Sequence, residues 1–301
     1  MIKSTRFCRV FLYKHLQVFS DFIVLYKATG MRTGINEQLR ITINSTAYYL
    51  ISYFIISFLF QLTESLISLY LFDIPSSFDR NSADYLTKPE SWSFDSVKVI
   101  FTSGVILSAV FGLLCLIVYL KALELDGLLR LFFLWGFVHS INLFWGSIML
   151  GSFIFEGFGY VLAWMYLQDT VKMILLFISL FMMLAAGSLM TKPFLYSANT
   201  YYNNLSAEMR PSFRKYQFFV PYVFGTIIIV ILRFPLSLYE LLLLLTPILI
   251  ILPLWWGISK FPPYFFEDHP KSIEIHWRIV ITTLVIIALY RVVMGVGIRI
   301  G

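Results

Sequence analysis

LLRLFFLWGFVHSINLFWGSIMLG (128–151), followed at once by SFIFEGFGYVLAWMYLQD (152–169), is the stretch on which the fold turns. The first part is long enough to cross a bilayer as one helix, which takes about 20 apolar residues. The second is shorter and is interrupted by Glu156, Gly157 and Gly159, so it is expected to be re-entrant or interfacial. Charge supports this division. If 153–168 crossed, the segment with Lys192, Arg210, Arg214 and Lys215 would lie outside, whereas a non-crossing segment returns it to the cytoplasm, where basic loops belong.

Composition sets the solvent. Hydrophobic residues make up 59% of the 301 and charged residues only 13%, against about 25% charged in an ordinary globular chain. A water-soluble domain could not dispose of that much apolar surface, so lipid is the solvent and membrane lipids the first expected partners. The 30 Phe and 18 Tyr fit a chain with a large lipid-facing area and many interfacial anchors. A net charge of +6 points to nucleic acid in a soluble protein; here the excess sits in segments assigned to the cytoplasm, and no nucleic-acid partner is expected. Cys8 and Cys115 both fall towards the cytoplasm, which argues against a disulfide, and no CxxC or Cys/His zinc spacing occurs. The basic start, MIKSTRFCRVFLYKHLQ, does not read as a cleavable signal peptide.

The pattern along the chain predicts an all-α, polytopic transmembrane bundle of about seven spans. Residues 1–44 are basic and are expected to form a cytoplasmic segment, with Phe11, Leu12, Leu16, Phe19 and Ile23 on the apolar side of an interfacial helix. Residues 45–301 are then a single transmembrane domain in an inner or plasma membrane. Its spans fall near 45–72, 97–120, 128–151, 169–190, 218–238, 240–259 and 277–298, with the N-terminus inside and the C-terminus outside. Gly104, Ser108 and Gly112 form a small-residue stripe that lets another helix approach span two closely. Pro247 and Pro253 predict a kinked sixth span.

Polar groups at membrane depth are the candidate site. Counting 1.5 Å per residue from Arg130, His139 lies roughly 14 Å in, near the middle of a ~30 Å core, and Asn142 shares its helix face. That face must look into protein or a wet cavity. Arg233 and Arg291 come out roughly 20 Å from the inner ends of their spans, near the level of Glu64, Glu156 and Glu240. An unpaired arginine at that depth is costly, so at least one direct Arg–Glu pair is expected. The predicted polar pocket is therefore His139, Asn142, Glu156, Arg233, Arg291 and Glu64.

No P-loop, HExxH or GxSxG motif is present. The placement of His139 on a membrane helix, with Glu156-Gly-Phe-Gly-Tyr160 after it, resembles the site-2-type intramembrane metalloproteases over this short stretch. Ser140 stands where those enzymes need a glutamate, Leu143 where they need a second histidine, and no LDG-type aspartate follows. The resemblance therefore carries over no catalytic residue, and neither a metal nor a cofactor is expected. Two functional classes remain: a transport or channel component or a subunit of a membrane complex, and an intramembrane enzyme acting on a lipid or membrane-embedded substrate with His139 as acid or base.

Overall fold

The computed structural model describes residues 34–78, 83–88, 91–121, 127–260, 264–266 and 273–301. The expected interfacial helix before residue 34 lies outside them. By internal contacts the chain divides into Met1–Leu39 and Arg40–Gly301, and the second unit carries the architecture.

Helix α1 (Gly34–Phe72) runs through the expected 44/45 boundary without a break. After it come two short strands, β1 (Ser76–Phe78) and β2 (Ala83–Tyr85), and then α2 (Phe94–Lys121). The central stretch starts as α3 (Gly127–Ile141), passes through a π turn (Asn142–Gly146) and ends as α4 (Ser147–Gly151). The piece after it forms a seven-residue helix, α5 (Phe158–Trp164), only roughly 10 Å long at 1.5 Å per residue. Next is α6 (Asp169–Leu189), continued by α7 (Thr191–Tyr196). Strand β3 (Asn204–Leu205) precedes α8 (Arg210–Arg214), which leads through a second π turn into α9 (Val220–Arg233). The sixth span is broken into α10 (Leu238–Leu245) and α11 (Ile248–Ser259), and β4 (Tyr264–Phe265) follows. The last elements are α12 (Trp277–Val296) and β5 (Ile298–Ile300).

Among the described residues six segments are long and apolar enough to cross a membrane: Glu37–Phe72, Phe94–Lys121, Leu129–Gly151, Asp169–Thr200, Arg210–Arg233 and Leu238–Ile258. The chain is a multi-pass membrane protein with an all-α bundle. Helix α12 stands where the seventh span is expected and packs along α1. At its start Asn44 of α1 donates to Glu274 O (2.8 Å) and accepts from His276 N (3.0 Å). Midway, the rings of Phe54 and Tyr290 lie 4.6 Å apart, and at its far end β5 pairs antiparallel with β1, Ser76 opposite Ile300.

The expected kink in the sixth span has a definite cause. Pro247 has no N–H, so the carbonyl of Leu243, one turn earlier, loses its helical donor. The same happens at Pro221, which releases the Gln217 carbonyl beside the second π turn; Ser45 Oγ of α1 donates to it at 2.6 Å. Both of these carbonyls are thus met by polar side chains from other helices, Asn142 at Leu243 and Ser45 at Gln217, as lipid would not satisfy them.

Glycine sets the closest approaches. A Cβ on Gly187 would collide with the carbonyl oxygen of Ile250, so α6 and α11 touch backbone to backbone. The stripe on α2 is used inside the chain: Gly104 rests against Phe60 and Glu64 of α1, and Gly112 against Ser140 of α3. That stripe is therefore not an exposed face for another subunit.

Candidate functional site

The turn between α9 and α10 organises the polar groups. Ser237 caps α10 in a capping box: Glu240 N donates to Ser237 Oγ (3.2 Å), and Ser237 N donates to Glu240 Oε2 (2.9 Å). The other Glu240 oxygen takes Arg233 Nη2 at 2.9 Å, which is the Arg–Glu pair expected from depth. Arg233 also donates to the Tyr53 hydroxyl of α1. Ser237 Oγ in turn donates to Glu156 Oε2 at 2.7 Å. Helix α1, the α9–α10 turn and the segment after α4, three parts distant in sequence, are joined by this chain of charged and hydroxyl groups.

His139 and Asn142 sit deeper and are both buried. His139 Nε2 lies 3.1 Å from the carbonyl of Tyr49, which can only accept, so Nε2 carries the proton. The rings of Tyr49 and Tyr53 meet the imidazole edge-on at 4.5 and 5.4 Å. Asn142 Nδ2 donates to Leu243 O at 2.8 Å, the carbonyl released by Pro247, and Thr246 Oγ1 donates to Asn142 Oδ1 at 2.6 Å. Asn142 is thus the clasp across the break between α10 and α11.

These groups line one cavity of about 650 Å³, within the range of small-molecule sites. It follows α1 from Tyr49 to Glu64, a rise of roughly 22 Å at 1.5 Å per residue. His139 and Asn142 lie at its deep end; Asp84, Tyr85 and Trp92 from the β1–α2 region lie at the other, with Phe155 and Glu156. Asp84 and Phe155 are exposed and form the rim. Glu64 is 8% exposed and takes part in no hydrogen bond or ion pair among the described residues. The buried Tyr85 hydroxyl likewise has no hydrogen-bond partner there. Burial pushes the Tyr85 phenol well above its usual range, and the negative charge of Glu64 acts in the same direction. Tyr160 is raised for the same reason, with Glu156 adding to it.

Five of the six predicted residues, His139, Asn142, Glu156, Arg233 and Glu64, line this cavity. Arg291 does not. It is at the expected level but points elsewhere, donating from Nη1 to Leu232 O at 2.6 Å and so capping the C-terminus of α9, where a cation is favoured. The sequence reading missed Tyr53, Tyr85, Trp92, Ser237 and Tyr239. A signal existed for the first: Tyr49, Tyr53, Ser57, Gln61 and Glu64 recur at four- and three-residue steps on α1, a polar stripe on an otherwise apolar helix.

No protein-family model, no curated protein and no solved structure matches the chain.

Proposed function

We propose that this protein binds a small polar solute within the membrane, as a transport or channel component, through the cavity that runs from Asp84 to His139. The observation that carries the reading is Glu64: a buried carboxyl group that takes part in no hydrogen bond or ion pair among the described residues and faces a cavity inside a membrane bundle is placed to serve a ligand or an ion path. The end of the bundle with Arg40, Lys121, Lys192, Arg214 and Lys215 faces the cytoplasm of an inner or plasma membrane by the positive-inside rule. The cavity rim then opens on the opposite side. The segment 152–168 dips in as a re-entrant piece; Gly151 and Gly159, whose backbones nearly touch, support this, as does the Glu156 link to Ser237. The enzymatic alternative asks for a second catalytic group beside His139, and the partner at Nε2 is a backbone carbonyl.

The test uses a background with Cys8 and Cys115 replaced by serine and single Gln61→Cys, Glu64→Cys and Glu156→Cys variants in native membranes. A membrane-impermeant maleimide is expected to label all three from the extracytoplasmic face only. Protection of all three from both faces refutes the reading.

A further inference from the structure

Resting on that reading of the cavity, we infer that its ligand carries an ammonium group, with Glu64 as the counter-ion. Charge gives the first reason. Among the described residues the lining holds the carboxyl groups of Glu64, Asp84, Glu156 and Glu240 but one guanidinium, Arg233, and that is already ion-paired with Glu240 at 2.9 Å. Ser237 donates to Glu156, whereas Glu64 has no donor among the described residues and is 8% exposed. Among the described lining residues an anion finds no cation outside that ion pair, whereas a cation gains a carboxylate partner in Glu64.

Ring geometry gives the second. Tyr85, Trp92 and Phe101 form one aromatic cluster on the same cavity wall, with Trp92 stacked on Phe101 at 5.9 Å and edge-on to Tyr85 at 5.3 Å. Aromatic faces attract alkylammonium groups, whose charge is spread and weakly hydrated. Calcium and magnesium ions ask for six or more oxygen ligands and zinc for about four nitrogen, sulfur or oxygen ligands, and among the described residues no group of three or more His, Cys, Asp or Glu is placed to hold a metal ion. Helix α2 makes room for the carboxylate: a Cβ on Gly104 would lie 3.0 Å from Glu64 Cγ and 3.1 Å from its Oε1. The Tyr85 hydroxyl, buried and without a partner among the described residues, is a further group for a polar ligand to meet.

The ammonium could belong to a soluble amine or to a lipid headgroup. Full-length protein carrying Gln61→Cys in the serine background, reconstituted in phosphatidylglycerol nanodiscs, is labelled with maleimide in the presence of choline or of its neutral isostere 3,3-dimethyl-1-butanol. Choline is expected to protect the introduced thiol and the isostere not to. Adding Glu64→Gln should weaken protection by about ten-fold or more, while Glu64→Asp retains it. Trp92→Leu, which keeps the charge, should weaken it by about two- to five-fold, and carries the test if Glu64→Gln does not fold. Loss of choline protection in discs containing phosphatidylethanolamine assigns the site to a lipid headgroup; unchanged protection assigns it to a soluble amine. Equal protection by the isostere, or a Glu64→Gln protein as responsive as its parent, overturns the ammonium assignment. A thiol that is labelled but never protected overturns the ligand class alone; a thiol that cannot be labelled counts against the cavity reading itself.

Discussion

Replacing Asn142 with leucine removes the clasp on the broken sixth span, and its cost can be worked from the geometry. Two hydrogen bonds go, from Asn142 Nδ2 to Leu243 O (2.8 Å) and from Thr246 Oγ1 to Asn142 Oδ1 (2.6 Å). Interhelical hydrogen bonds in membranes are worth about 0.6 kcal/mol on average and up to about 1.7, so the pair should cost about 1–3 kcal/mol. A sharper outcome follows if Pro247 creates the need for the clasp. In Pro247→Ala the alanine N–H can take up Leu243 O along the helix. Thr246 Oγ1 is also within 2.8 Å of that carbonyl. Asn142→Leu should therefore cost at most about half as much in the Pro247→Ala background, a coupling that a double-mutant cycle measures. The assay is equilibrium unfolding of purified protein in mixed micelles with increasing SDS. Equal losses in both backgrounds would show that Asn142 does not answer the proline break.

Gly225→Ala should destabilise by about 1–3 kcal/mol or more in the same assay, because its Cβ would overlap the Tyr49 ring, which a 2.9 Å hydrogen bond to Thr226 holds in place. Arg233→Met strands Glu240 and should cost about 3–5 kcal/mol, while Arg233→Met with Glu240→Gln should recover most of that loss; no recovery would mean that the ion pair is not the reason. The raised Tyr85 phenol keeps its proton longer in the folded than in the unfolded chain, so its contribution is complete below about pH 10 and is lost as pH rises beyond that. Tyr85→Phe should accordingly make the alkaline fall in stability shallower, as read from unfolding midpoints between about pH 9 and 11.

Six of the seven expected spans return among the described residues as helices long and apolar enough to cross, because hydropathy over about twenty residues is a compositional signal that needs no knowledge of neighbours. Depth was legible in part, since a helix has a fixed rise: Arg233, Glu240 and Glu156 fell at one level by counting, and Arg233 pairs with Glu240 while the Ser237 that caps the same turn reaches Glu156. Azimuth was not. Arg291 shares that level, yet it turns to the end of α9, because which way a residue faces depends on how helices pack. Tyr85 and Trp92 were hidden for another reason. They belong to a loop without periodicity, and β2 is held by β1, which in turn pairs with β5 from the far end of the described chain. The stripe on α2 announced a close approach correctly, but small residues do not name the helix that approaches, which is α1 and α3 of the same chain.

The pairing of β1 with β5 has a consequence for biogenesis. Helix α1 is the first described segment to leave the ribosome, yet Asn44, Phe54 and Ser76 meet their partners on His276, Tyr290 and Ile300, among the last of the described residues. One flank of α1 must wait, shielded by lipid or by an insertion factor, until the described helices between it and α12 have been threaded. Truncating the chain before α12 would leave that flank open, and such a nascent protein is the natural prey of membrane proteases.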